Sequence, residues 1–121
     1  MNDELTKQLQ DKYPQILQDV GGDPAITCMA WGVAVGAGWY KLLDDCMAEI
    51  MAMNPPSEFK AAQIKGKFGG LRFYADGGTA EIYTVINKAE KNSFDICEVC
   101  GGRGTVRKMY CNLCAECRVV K

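Results

Sequence analysis

Histidine is absent from this sequence. Its absence excludes acid–base and nucleophilic schemes built on an imidazole, and every metal site with a ring-nitrogen ligand. A basic excess is also missing. Fourteen Lys and Arg face fifteen Asp and Glu, for a formal charge of −1, which is not the balance of a general nucleic-acid binder. No apolar run reaches the roughly 18 residues that span a bilayer. The longest weakly polar stretch, residues 25–40, is broken by glycines. The opening residues are polar and acidic with no apolar segment behind them, so no secretory signal is expected. These absences together predict a cytoplasmic protein in a reducing compartment, with no membrane partner. There, closely spaced cysteines read as metal ligands rather than disulfides.

Cysteine, by contrast, is plentiful and clustered. Cys97-x-x-Cys100 and Cys114-x-x-Cys117 stand near the C-terminus with thirteen residues between them. Each pair can set two sulfurs on one side of a tight turn. Brought face to face, the pairs offer four thiolates in the tetrahedral arrangement that Zn²⁺ prefers. Four sulfurs leave no open position for a substrate, so the predicted role of the zinc is structural. Gly101 and Gly102 follow the first pair, where a turn aiming N–H groups at bound sulfur needs left-handed backbone. The intervening residues have room for a β-hairpin. Cys111 also forms a Cys-x-x-Cys with Cys114 and is the second-best ligand. Cys28 and Cys46 read as small buried apolar residues.

The length of 121 residues, 48% of them hydrophobic and 24% charged, suits one globular domain. Residues 3–20 carry Leu5, Leu9, Tyr13, Ile16 or Leu17, and Val20 at helical spacing, with a break expected at Tyr13-Pro14. Residues 21–24 read as a turn. A short extended piece is expected around 26–31, then a glycine-rich loop. Gly32, Gly36 and Gly38 match neither a dinucleotide fingerprint nor a phosphate loop, and backbone geometry is the better account of them. Residues 38–53 form the clearest helix. Trp39, Leu42, Leu43, Cys46, Ile50 and Met53 line its inner face, and Asp44, Asp45 and Glu49 lie on or near the solvated one. Asn54-Pro55-Pro56 ends it. Residues 58–75 read as strands. Gly69-Gly70 closes a two-residue hairpin with both residues at positive φ, or else forms a bulge in one long strand. Thr79 caps a helix over 80–92 whose inner face is Ile82, Ile86 and Ala89.

The predicted fold class is α+β: helices on a small antiparallel sheet, with a zinc-ribbon or treble-clef-like knuckle at the C-terminus. Residues 1–95 form the core, and residues 96–121 form the knuckle packed on it as one compact unit. Lys65, Lys67, Arg72, Arg103, Arg107 and Lys108 are candidates for a basic contact surface. Phe68, Phe73, Tyr74 and Tyr110 lie among them. Such a surface suits a protein partner or, alternatively, single-stranded nucleic acid. A catalytic reading would have to rest on Asp44, Asp45 or Glu49 with a Lys or Tyr, and ranks last without histidine or an open metal site.

Several motifs form a series: Tyr13-Pro14, Trp31-Gly32, Gly38-Trp39-Tyr40 with Leu42-Leu43, KGKFGGLRFY at 65–74, Ala89-Glu90 with Ser93, Ile96-Cys97-x-x-Cys100-Gly101, Gly104, and Leu113-Cys114. That series resembles a widespread family of small bacteriophage-encoded proteins of unassigned function. Those relatives often end with a Cys-x-x-His pair, and here Cys114 and Cys117 stand at the matching positions. The resemblance implies expression in an infected or lysogenic bacterial cytoplasm. It also implies, by analogy with small phage accessory proteins, non-enzymatic binding to a host protein, including inhibition of a host defence system. Residues 97–104 additionally resemble one unit of the zinc-bearing repeat of DnaJ-type chaperones, which uses four such units where this chain has one.

Overall fold

Pro14 divides the first helical stretch. Helix α1 spans Asp3–Lys12, and its last turn closes with Tyr13 N–H donating to the Leu9 carbonyl at 2.8 Å. Pro14 has no N–H to continue the ladder. The chain instead runs as successive turns that still bury Ile16 and Leu17 completely. The Gln10 amide donates to the carbonyls of Leu17 and Val20, at 3.2 and 3.4 Å, and holds these turns against the helix. The computed structural model describes residues 1, 3–27, 29–30, 32–67, 69–98, 105–107 and 111–113, the last two stretches by backbone alone.

Among the described residues of the stretch 26–31, the expected extended piece does not form. Asp23 accepts from Ala25 N–H through its side chain, at 2.9 Å, and from Ile26 and Thr27 N–H through its carbonyl. Thr27 Oγ1 accepts from Met29 N–H. These local bonds give the backbone an alternative to strand pairing, and Ile26 is left 84% exposed. Extended pairing comes later, where Ala34 bridges Lys65 in parallel and donates to the Ile64 carbonyl at 3.0 Å.

A single 3-10 turn, Ala37–Trp39, leads into helix α2, Tyr40–Ala52. Trp39, Leu43, Cys46, Met47 and Ile50 are buried. Met53, expected on that inner face, is 40% exposed. The helix has ended by then, and Asn54 takes the left-handed conformation at φ 54°, a common way to leave a helix.

Strands β1, Lys60–Lys67, and β2, Gly70–Asp76, form a two-stranded antiparallel sheet. Lys67 pairs with Gly70, so the connecting residues are 68 and 69 rather than the expected glycine pair. Gly69 has φ +83°. Gly70 is a strand residue whose missing side chain admits the Phe94 ring; a Cβ there would lie 2.4 Å from it. Ile64 opposite Phe73 faces inward, as does Leu71, whose partner Gly66 is exposed, while Lys65 opposite Arg72 faces outward.

Helix α3, Ala80–Asn92, starts where expected. Thr79 Oγ1 accepts from Ile82 N–H at 3.3 Å, and Ile82, Val85, Ile86 and Ala89 are buried. Helix α3 packs on α2 and on β2. It also covers the free edge of β2: Leu71 N–H donates to Ser93 Oγ, and Phe73 N–H to Glu90 Oε2, each at 2.8 Å. On the far side of the sheet, Ala61 N–H donates to the Ile16 carbonyl at 2.8 Å. Both sheet edges thus find partners within the chain, which removes a template for edge-to-edge association. Among the described residues the architecture is α+β, with three helices and the small antiparallel sheet of β1 and β2 around one core.

Candidate metal centre and basic face

Helix α3 ends in a second 3-10 turn, Ser93–Asp95. The chain then crosses the loop before α2. The Trp39 indole N–H donates to the Ile96 carbonyl at 2.9 Å. Gly38 N–H donates to the Glu98 carbonyl at 2.7 Å, and Gly36 N–H to Glu98 Oε2 at 2.9 Å. Cys97, the first expected zinc ligand, is held between these anchors and is wholly buried. The glycines are needed for close approach. A Cβ on Gly36 would lie 2.3 Å from the Glu98 carbonyl oxygen, and one on Gly38 would lie 2.1 Å from that of Cys97.

Cys100, Cys114 and Cys117 lie outside the described residues, as do Cys28, Arg103 and Lys108. Between the two cysteine pairs, strand β3, Thr105–Arg107, pairs antiparallel with β4, Cys111–Leu113. Thr105 is opposite Leu113, and Arg107 is opposite Cys111. Thr105 and Leu113 therefore lie at the same end of this hairpin. Cys111 sits at the other end, about 7 Å along the strand from Leu113 at the usual rise per residue. Among the described residues no cluster of three or more Cys, Asp or Glu could hold a metal ion.

The sheet brings three of the six basic candidates together. Lys65 and Arg72 are directly opposed, and Lys67 lies two residues along the same face. Lys65 and Arg72 are half-buried and Lys67 is exposed. Among the described residues, neither Lys65 nor Arg72 forms an ion pair. Tyr74 is exposed on this face, opposite Gln63. The expected interleaving of rings is only partly present, since Phe73 points into the core. Phe68 and Tyr110 lie outside the described residues, and Arg107 is placed in β3 by its backbone alone.

The three carboxylates of α2 each have a cation. Lys41 reaches Asp45 at 2.8 Å and Lys88 reaches Glu49 at 3.8 Å, both on the surface. Asp44 departs from the expected solvated face. Its carboxylate accepts from the Tyr13 hydroxyl at 2.5 Å and from Lys12 Nζ at 3.0 Å. The Tyr13 bond, seconded by Lys12, holds the Asp44 carboxyl below the usual range, against a smaller opposing effect of burial. Burial, then the same hydrogen bond, pushes the Tyr13 phenol well above its ordinary value. A carboxyl that is more acidic when folded stabilises the fold above the unfolded pKa of about 4 and loses that contribution as pH falls through the folded value. Tyr13→Phe should therefore flatten the loss of stability in denaturation series run below about pH 4. An acid limb unchanged from wild type would contradict the pairing. These contacts tie α1 to α2 and give the carboxylate a structural occupation.

Cys46 is buried, and desolvation, with smaller contributions from Glu49 and Glu90, pushes its thiol up to about 12. It is an inert packing residue at neutral pH. An open groove of about 770 Å³ lies beside the anchor, lined by Gly38, Lys41, Asp45, Asn92 and Asp95 among others. No helix among the described residues is long and apolar enough to cross a membrane.

Sequence reasoning missed the anchor itself. Gly36, Gly38 and Trp39 were legible as loop and core, and Glu98 as a spacer between ligands. The one available signal was two glycines bracketing an alanine just before a tryptophan, with no turn type to explain them. Comparison with protein-family models, with curated proteins and with solved structures finds no match to this chain.

Proposed function

We propose that this is a small phage-encoded zinc-binding protein that acts without catalysis, by occupying a surface of a host protein, with a component of a host defence system as the candidate target. The zinc is structural, held by Cys97, Cys100, Cys114 and Cys117 in a ribbon or treble-clef-like knuckle. The donor set fits the ion. Cys97 is buried and pinned, and in sequence one Cys-x-x-Cys pair precedes Thr105 and the other follows Leu113, the two residues paired at one end of the β3–β4 hairpin. The position of Cys111 at the opposite end favours Cys114 with Cys117 as the second pair.

The observation that carries the binding reading is Lys65 set directly against Arg72 on the outer sheet face. Like charges opposed across a strand pair are destabilising, by some tenths of a kcal/mol to about 1 kcal/mol. An acidic partner surface offsets that repulsion. Capture from a bacterial lysate on wild-type protein, beside a Lys65→Glu, Arg72→Glu variant, tests this. The expected result is a bacterial protein retained by wild type and lost from the charge-reversed variant. Equal retention by both would reject this face as the contact.

Tyr74 on the same face favours a second reading, a nucleic-acid-binding accessory factor in which the ring stacks on a base. Titration with single- and double-stranded DNA and RNA across a salt series separates the two. Phosphate binding would show as affinity falling linearly with salt on logarithmic axes. The host-protein reading expects no binding even at low salt.

A further inference from the structure

The contacts of residues 96–98 do more than attach one end of the chain. Glu98 stands between the first two proposed ligands, Cys97 and Cys100. Four thiolates around Zn²⁺ carry a net charge of about −2, so an adjacent carboxylate is electrostatically unfavourable. The chain places one there, and its oxygen is engaged by Gly36 N–H at 2.9 Å. The Glu98 carbonyl is held by Gly38 N–H, and the Ile96 carbonyl by the Trp39 indole. Residues on both sides of Cys97 are thus fixed to one short turn that lies about sixty positions earlier in the chain. Main chain meets main chain there, so no side-chain rotation could make room for a methyl group on Gly36 or Gly38.

We infer that Glu98 is a positioning residue for the metal centre, acting with Gly36, Gly38 and Trp39 as a latch that sets Cys97 in its ligating place before the ion arrives. This rests on the zinc reading above. A ligand fixed in advance does not have to be ordered when the metal binds, and preorganisation of that kind raises affinity. Groups that orient metal ligands from behind change metal affinity by about 10–100-fold when removed.

The test is competition for Zn²⁺ between the full chain and a chromogenic chelator. Glu98→Ala should bind Zn²⁺ about 10–100-fold more weakly than wild type. Glu98→Gln keeps an oxygen for Gly36 N–H and should stay close to wild type. Gly36→Ala breaks the latch from the other side, by crowding the Glu98 main chain while Glu98 keeps its carboxylate, and should weaken binding comparably. The double variant Gly36→Ala, Glu98→Ala should be no weaker than the worse single one, because residues acting through one interaction are not additive. Wild-type affinity in Glu98→Ala, or losses that add in full, would overturn the latch while leaving the zinc reading intact. A wild-type chain that takes up no stoichiometric zinc would remove the zinc reading, and the latch with it.

Discussion

Replacing Trp39 with alanine is expected to remove about 3–5 kcal/mol of stability, the range for deleting a large aromatic side chain from a packed core. The ring is wholly buried and sits where the loop, α2 and the segment leading to Cys97 meet. Its loss leaves a cavity and also frees the Ile96 carbonyl from the indole. Trp39→Phe separates the two effects. It fills most of the space and loses the N–H, at a cost of about 1–3 kcal/mol. Urea denaturation of the three proteins measures the differences from the transition midpoints. A loss under about 1 kcal/mol in the alanine variant would place the ring outside the energetic core.

Removing the metal should have the other large effect. Metal binding to a site absent from the unfolded chain is folding energy, and zinc-finger peptides gain about 10–16 kcal/mol from it. Even a loss of about 5 kcal/mol would lower the thermal midpoint of a chain this size by roughly 15–25 °C. Chelation, or Cys97→Ser, is expected to unfold the C-terminal third beyond the contacts on Trp39 and Gly38, which hold without the ion. A melting curve that does not move after complete chelation would rule out a structural zinc. Metal analysis then assigns the ligands: Cys114→Ser should lose zinc that Cys28→Ser retains, and equal zinc in both would show the second pair to be misassigned.

Much of the core is legible in the sequence. Helix α3 could be read from Thr79 and from Ile82, Ile86 and Ala89, because a cap and a 3.6-residue period are local properties. The end of α1 at Lys12 followed from Pro14, which cannot donate. The hairpin of β1 and β2 followed from alternation and glycine, although its turn lies one residue earlier than the glycine pair suggested. Residues 26–31 misled because their β-branched composition resembles a strand. Asp23 and Thr27 supply competing hydrogen bonds that a hydrophobicity pattern does not register.

The amino-acid order by itself determined the α+β class, the helix with the Thr79 cap, and a chemistry without imidazole. Tertiary structure alone decided that Asp44 answers to Tyr13 and Lys12, that Lys65 opposes Arg72, and that Gly36, Gly38 and Trp39 receive Glu98 and its neighbours. Periodicity and capping act between residues a few positions apart and so leave a trace in any short window of the chain. Contacts between residues sixty positions apart leave none, because only the packing of helices and strands brings them within hydrogen-bonding reach.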